Sequence, residues 1–199
     1  MKTIIIFTVM LLFSPGLIAI QSASEEAEKE EILTLLKERD EEIKELLGPK
    51  DTEYTDEQRD RLRSMINDII DFETMASRAL GNKFDEISQS EREEFVSLFS
   101  TIVRDQSLNR LDIYRAEVTY EDIEVDNGSA RVHTIAQLDN VRTAVDYTME
   151  KKNSEWFITD MTINDVSTSQ SYNRQFSSII RQHGFDTLLD RLRRRAERT

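Results

Sequence analysis

The sequence predicts an α+β protein with segregated layers: helices, then a four-stranded antiparallel meander, then helices. Three observations carry this. Up to about Tyr114 the apolar residues recur at helical spacing behind recognisable caps. From Ala116 to Ile163 they alternate with polar residues, and turn residues interrupt the alternation. After Ser167 the helical spacing returns. A sheet with one apolar face must be covered, and the amphipathic helices on either side are the available cover.

The totals bound what such a chain can do. At 199 residues it allows one domain. Hydrophobic content of 38% gives it a core, while 33% charged residues leave a heavily charged surface. The net charge of −13 argues against a nucleic-acid binder, which needs basic surface for phosphates. It places no bar on lipid, because acyl chains carry no charge. With no cysteine, disulfides, thiol catalysis and Cys-ligated zinc are excluded.

The chain starts with Met1-Lys2, an apolar run from Thr3 to Phe13, a break at Pro15-Gly16, and small residues from Ala19 to Ser24. Those are the three regions of a secretory signal peptide. The run is short for a membrane span of ~20 apolar residues. The expected organisation is a signal peptide over 1–23 and one exported domain over 24–199.

Ser24 to Leu47 is rich in Glu and Lys, with one apolar stripe of Ile32, Leu35, Leu36, Ile43, Leu46 and Leu47. Gly48-Pro49 stops this helix. Thr55 to Gln58 reads as a capping box for a helix bearing Leu62, Met65, Ile66, Ile69 and Ile70. Asp71 can cap a third helix carrying Phe72, Met75, Ala76, Ala79 and Leu80, with Gly81 at its end. Ser90 to Glu93 reads as another capping box. Behind it Phe95, Leu98, Phe99, Ile102 and Val103 form a strong stripe that runs on toward Leu108.

Val118 and Tyr120 open the alternating half, and Ile123 and Val125 continue it on the opposite phase. That shift predicts a bulge near Asp122. Asp126-Asn127-Gly128, Asp139-Asn140 and Lys151 to Ser154 supply the turns. Between them Val132, Thr134, Ala136 and Leu138 share one face, as do Val145, Tyr147 and Met149. Trp156 to Ile163 is apolar on both faces apart from Asp160. The turn Asn164 to Ser167 opens a helix with Tyr172, Phe176, Ile179 and Ile180 on one side. Gly184 ends it, and a basic helix follows with Arg191, Arg193, Arg194 and Arg195.

Signals for catalysis are thin. The histidines are His133, on a polar strand face, and His183, at a helix end. The sequence lacks metal-ligand spacing, a nucleophile elbow and a Gly-rich phosphate loop. Asp160 on an apolar strand, with His133 on another, is the one pair suited to proton transfer in an exported enzyme with a cone-shaped sheet. A further alternative is an envelope interaction module that uses the helical half as its surface.

Two blocks of residues carry a family likeness. One is Trp156 to Asp160, Ile163 to Ser167, Tyr172 to Phe176, Gly184-Phe185-Asp186 and Leu188-Leu189. The other is Asp71 to Ala76, Ala79-Leu80-Gly81 and Glu91 to Phe95 with Phe99. Together they resemble the MlaC, or toluene-tolerance, family of periplasmic phospholipid-binding proteins, in order and spacing from about Ile32 to Arg195. Asp165 stands where that family usually has glycine, and Phe84 where it usually has tryptophan.

The resemblance implies a curved sheet wrapped by helices, with an apolar cavity between the layers. It implies a non-enzymatic carrier, with bound phospholipid as cargo and no cofactor or metal. Its partners would be an outer-membrane lipoprotein–porin complex and an inner-membrane ABC transporter with an MCE-domain ring. Face assignment then nominates Phe72, Met75, Phe95, Phe99, Val132, Val145, Tyr147, Met149, Trp156, Ile158, Tyr172 and Phe176 as cavity residues. Arg191, Arg193, Arg194 and Arg195 are the candidate docking patch.

Overall fold

The computed structural model describes residues 15–49, 54–108 and 111–198. Helix α1 spans Pro15–Leu47, α2 Asp56–Ile69, α3 Phe72–Leu80, α4 Lys83–Glu86 and α5 Gln89–Leu108. A 3-10 turn over Leu111–Arg115 leads into β1 Glu117–Asp126, β2 Ser129–Leu138, β3 Val141–Lys152, β4 Glu155–Ile163 and β5 Val166–Ser167. Helices α6, Thr168–His183, and α7, Phe185–Ala196, follow. The expected α+β class is found, with an open antiparallel sheet in the order β1-β2-β3-β4-β5. The fifth strand has two residues and was expected as turn; Ser167 and Val166 pair with Thr162 and Ile163.

Local chemistry sets the element ends. Thr55 and Gln58 form the expected capping box, and Asp71 accepts from Thr74 N at 2.9 Å. The box at α5 lies two residues earlier than expected. Ser88 N donates to Glu91 at 2.8 Å, and Glu91 N donates to Ser88 Oγ. Both Ser88 and Ser90 precede acidic residues at the required spacing, and Ile87 just before Ser88 is buried, which fixes where the chain enters the helix. The short α4 was not foreseen; it carries Phe84 into the helical core.

Sheet register bears out the bulge near Asp122, where pairing slips between Tyr120 and Asp122. A second slip, between Thr148 and Met149, leaves Thr159 as an extra residue on β4. The turn residues Asn127, Asp139, Asn153, Ser154, Asn164 and Asp165 all take positive φ. Asp165, at 64°, adopts a conformation in which a glycine is free of strain, so the turn closes without one.

The signal-peptide expectation lies partly outside the described residues. Residues 1–14 are not described, and residues 15–23 form the first turns of α1. Among the described residues no helix is long and apolar enough to cross a membrane.

Buried apolar side chains form two cores. The larger one is helical and gathers the C-terminal turns of α1 with α2 to α7. The other joins Ile32 and Leu36 of α1 and Ile69 of α2 to one face of the sheet.

Candidate functional site: an apolar sheet face roofed by helix α1

The sheet core is built by period-two alternation. Val132, Met149, Trp156 and Ile158 are nearly fully buried on one face, with Tyr147 and Met161 packed beside them. Their roof is α1. The sequence shows the α1 stripe, but nothing in its spacing says that the stripe lies on the sheet. Leu47 and Ile43 turn the C-terminal end of the same stripe into the helical core, while Ile32 and Leu36 reach the sheet.

Polar contacts hold α1 midway along its length and at its C-terminal end. At the β3–β4 end, Lys151 Nζ lies 2.9 Å from Glu31 and 3.3 Å from Glu28 of α1. The same ammonium sits 5.4 Å from the centroid of the Trp156 ring. At the other end, Arg115 donates to the carbonyls of Leu47 and Gly48 and to the Tyr54 hydroxyl. These are surface-type contacts of modest strength. Between them lie Tyr120 and Tyr147, near Asp40. Burial, reinforced by the Asp40 and Tyr114 charges, pushes the Tyr147 hydroxyl up to about 12. Burial, with Tyr147 and Asp40 adding to it, raises Tyr120 as well.

The structure does not gather all the nominated residues in one place. Val132, Met149, Trp156 and Ile158, with Tyr147 at the margin, line the sheet core under α1. Val145 is half-buried within β3, opposite Ile163. Phe72, Met75, Phe95, Phe99, Tyr172 and Phe176 belong to the helical core. There Phe99 stacks beside Phe95 at 6.0 Å between centroids and meets Tyr172 edge-on at 5.2 Å. Phe176 meets Phe95 edge-on at 5.7 Å. Both Phe95 and Phe99 are fully buried.

Among the described residues, two surface concavities that open to solvent stand out. One runs along α1 past Glu30, Thr34 and Leu35. The other, of about 360 Å³, lies between β5 and α6, where Ile163, Val166 and Tyr172 meet Arg195. Neither is lined by both α1 and the sheet.

The candidate proton-transfer pair is not assembled. His133 Nδ1 is 3.1 Å from Asp146 on the neighbouring strand. The β4 bulge brings Thr159 to Arg78 of α3, at 2.9 Å, and Asp160 to the start of α6. Asp160 Oδ2 accepts from the hydroxyls of Ser167 at 2.6 Å and Ser169 at 2.7 Å. Its Oδ1 accepts from the amides of Met161 and Ser169. Asp160 therefore ties β4 to α6. Among the described residues no group of His, Asp and Glu could hold a metal ion.

Of the four nominated arginines, Arg193 is paired with Glu94 of α5 at 2.6 and 2.8 Å and with Asp190 at 2.7 Å. It locks α7 onto α5. Arg191, Arg194 and Arg195 are exposed on α7.

This architecture defines a class: an open antiparallel sheet whose apolar face is closed by helices. The same fold is seen in the structure of the phospholipid-binding protein from Ralstonia solanacearum in complex with a phospholipid. That match has a TM-score of 0.70 at 18% identity, over 84% of this chain and 96% of the other. The chain belongs to the MlaC protein family, which it matches over residues 37–194. Comparison with curated proteins gave no match.

Proposed function

We propose that this protein is a periplasmic phospholipid carrier that holds acyl chains against the sheet face of Val132, Tyr147, Met149, Trp156 and Ile158. One observation carries the reading: α1, with Ile69 of α2 beside it, roofs that face and is held by polar contacts at Glu28 and Glu31 and at its C-terminal end. Family membership and the lipid-bound Ralstonia relative support it.

The energetics allow exchange of roof for cargo. Four α1 side chains, Ile32, Leu33, Leu35 and Leu36, pack on the sheet core. Each contributes ~1.5–3 kcal/mol when fully buried, while each acyl methylene contributes ~0.8 kcal/mol. Leu33 and Leu35 are only half-buried, so about eight to fifteen methylenes are the most needed to match what α1 supplies, and a two-chain phospholipid exceeds it. The helical aromatic core, including Phe95, Phe99, Tyr172 and Phe176, is the fixed wall against which the sheet and α1 open.

In this reading the signal peptide, residues 1–23, is removed on export, and α1 begins near Ser24. Lipid is passed between an outer-membrane lipoprotein–porin complex and an inner-membrane ABC transporter with an MCE-domain ring. The exposed Arg191, Arg194 and Arg195 form the docking patch, with Arg193 fixing the helix that presents them. The protein acts as a carrier, without catalysis or cofactor.

Mass spectrometry of protein purified from the cell envelope tests this. Near-stoichiometric two-chain phospholipid is the expected result. Protein that stays empty after incubation with phospholipid vesicles would end the proposal.

A further inference from the structure

Trp156 presents an anomaly. Its side chain is 3% exposed, yet the indole Nε1 is buried without a hydrogen-bond partner. A buried donor left unpaired is costly, and native proteins seldom retain one without a use for it. This donor lies in the apolar layer with Met149, Ile158, Ile32 and Leu36, where the chain supplies it no acceptor.

Its neighbour across the hairpin is Lys151, paired with Trp156 in the β3–β4 register. The Lys151 side chain is 24% exposed, and its ammonium lies near the indole face. Charge is thus at the rim and the unpaired N–H is inside, next to purely apolar surface. That is the polarity of a glycerophospholipid: phosphate outermost, then the ester carbonyl, then the acyl chain. At present two carboxylates of α1, Glu28 and Glu31, supply the negative charge at Lys151.

We propose that Lys151 and Trp156 form the polar anchor of the lipid slot, Lys151 taking the phosphate and the Trp156 N–H donating to an acyl ester carbonyl. This rests on the carrier reading above. It adds a release device. A phosphate arriving at Lys151 competes with Glu28 and Glu31, so lipid capture and loosening of α1 are the same ion exchange. No bond is broken and no proton moves. The anchor reads the ester and the phosphate, which all diacyl phospholipids share, and leaves the rest of the head group unread.

The test compares ester-linked and ether-linked phosphatidylglycerol, which differ at the carbonyl, and uncharged diacylglycerol, which lacks the phosphate. Each is presented in neutral carrier vesicles to the purified protein, and occupancy is read by native mass spectrometry. The wild type should prefer the ester over the ether lipid by about threefold to tenfold, the worth of one hydrogen bond. Trp156→Phe should erase that preference, with folding checked by thermal unfolding. Lys151→Met should lower occupancy by phosphatidylglycerol but not by diacylglycerol. If the wild type loads ester and ether lipids equally, or Lys151→Met affects both lipids alike, the anchor is wrong and the carrier reading stands. If no lipid loads on the wild type, both fall together.

Discussion

Asp160 and Ser169 are joined twice: Oδ1 accepts from the Ser169 amide at 3.0 Å and Oδ2 from its hydroxyl at 2.7 Å. The pair couples the last full strand to the first turn of α6, and Ser167 completes it as the α6 cap, accepting from Gln170 N at 3.1 Å. A carboxylate facing only donors is poorly replaced by an amide, because one oxygen becomes an NH₂ group. Asp160→Asn should lower the unfolding free energy by about 2–3 kcal/mol in urea titration, the range for hydrogen bonds to a buried charged group. A change under about 0.5 kcal/mol would show that this junction is not held by Asp160.

Phe99 and Leu36 separate the two cores experimentally. Phe99→Ala removes a ring that touches Phe95, Tyr172 and Phe176, and should cost about 3–5 kcal/mol of global stability. Leu36→Ala should act locally. Amide exchange should quicken along α1 while α5 and α6 keep their protection. Equal loss of protection in all three helices would mean that the cores open as one.

The importance of α1 movement can be tested because the chain has no cysteine. Glu28→Cys with Lys151→Cys places two thiols where the ion pair joins α1 to the sheet. A short cleavable thiol cross-linker should block loading of diacylglycerol, which has no phosphate for Lys151 to bind, in this double variant, and cleavage should restore it. Loading that proceeds while the link is intact would show that cargo enters without displacing α1.

Asp71 gives the protein a definite acid response. Burial opposes its charge, but hydrogen bonds from Lys152 and from Thr74 outweigh this and hold its carboxyl below the ordinary value of 3.8. A carboxyl lowered in the folded state contributes stability that is fully present above its unfolded value and is lost as pH falls through the folded one. Asp71→Asn should start about 0.5–1 kcal/mol less stable near neutral pH, through loss of the ion pair with Lys152, since asparagine still caps α3. It should then lose less than the wild type below pH 3.8. Parallel acid denaturation curves for the two proteins would contradict this.

Much of the fold was legible because its signals are local. The caps at Thr55, Asp71 and Ser167 depend on residues three apart, and the Asp122 bulge on a phase change within one strand. The site was legible only by halves. Periodicity identifies the apolar face of each element but not which faces meet. So Phe95 and Trp156, each read as cavity lining, lie in different cores. Helix α1 reads in the sequence as an acidic helix with one apolar stripe, and in the fold that stripe covers the sheet. Asp160 stood out for its type on an apolar strand, yet its use depends on a bulge and on two serines seven and nine residues away.

Trp156 is the single tryptophan of the chain. The protein's intrinsic fluorescence is therefore the signal of one indole, beneath one helix and beside one ammonium group. Any event that lifts α1, admits water or seats an acyl chain must change the emission of that ring. Under the proposed carrier function that emission is an optical gauge of occupancy, readable in unlabelled protein.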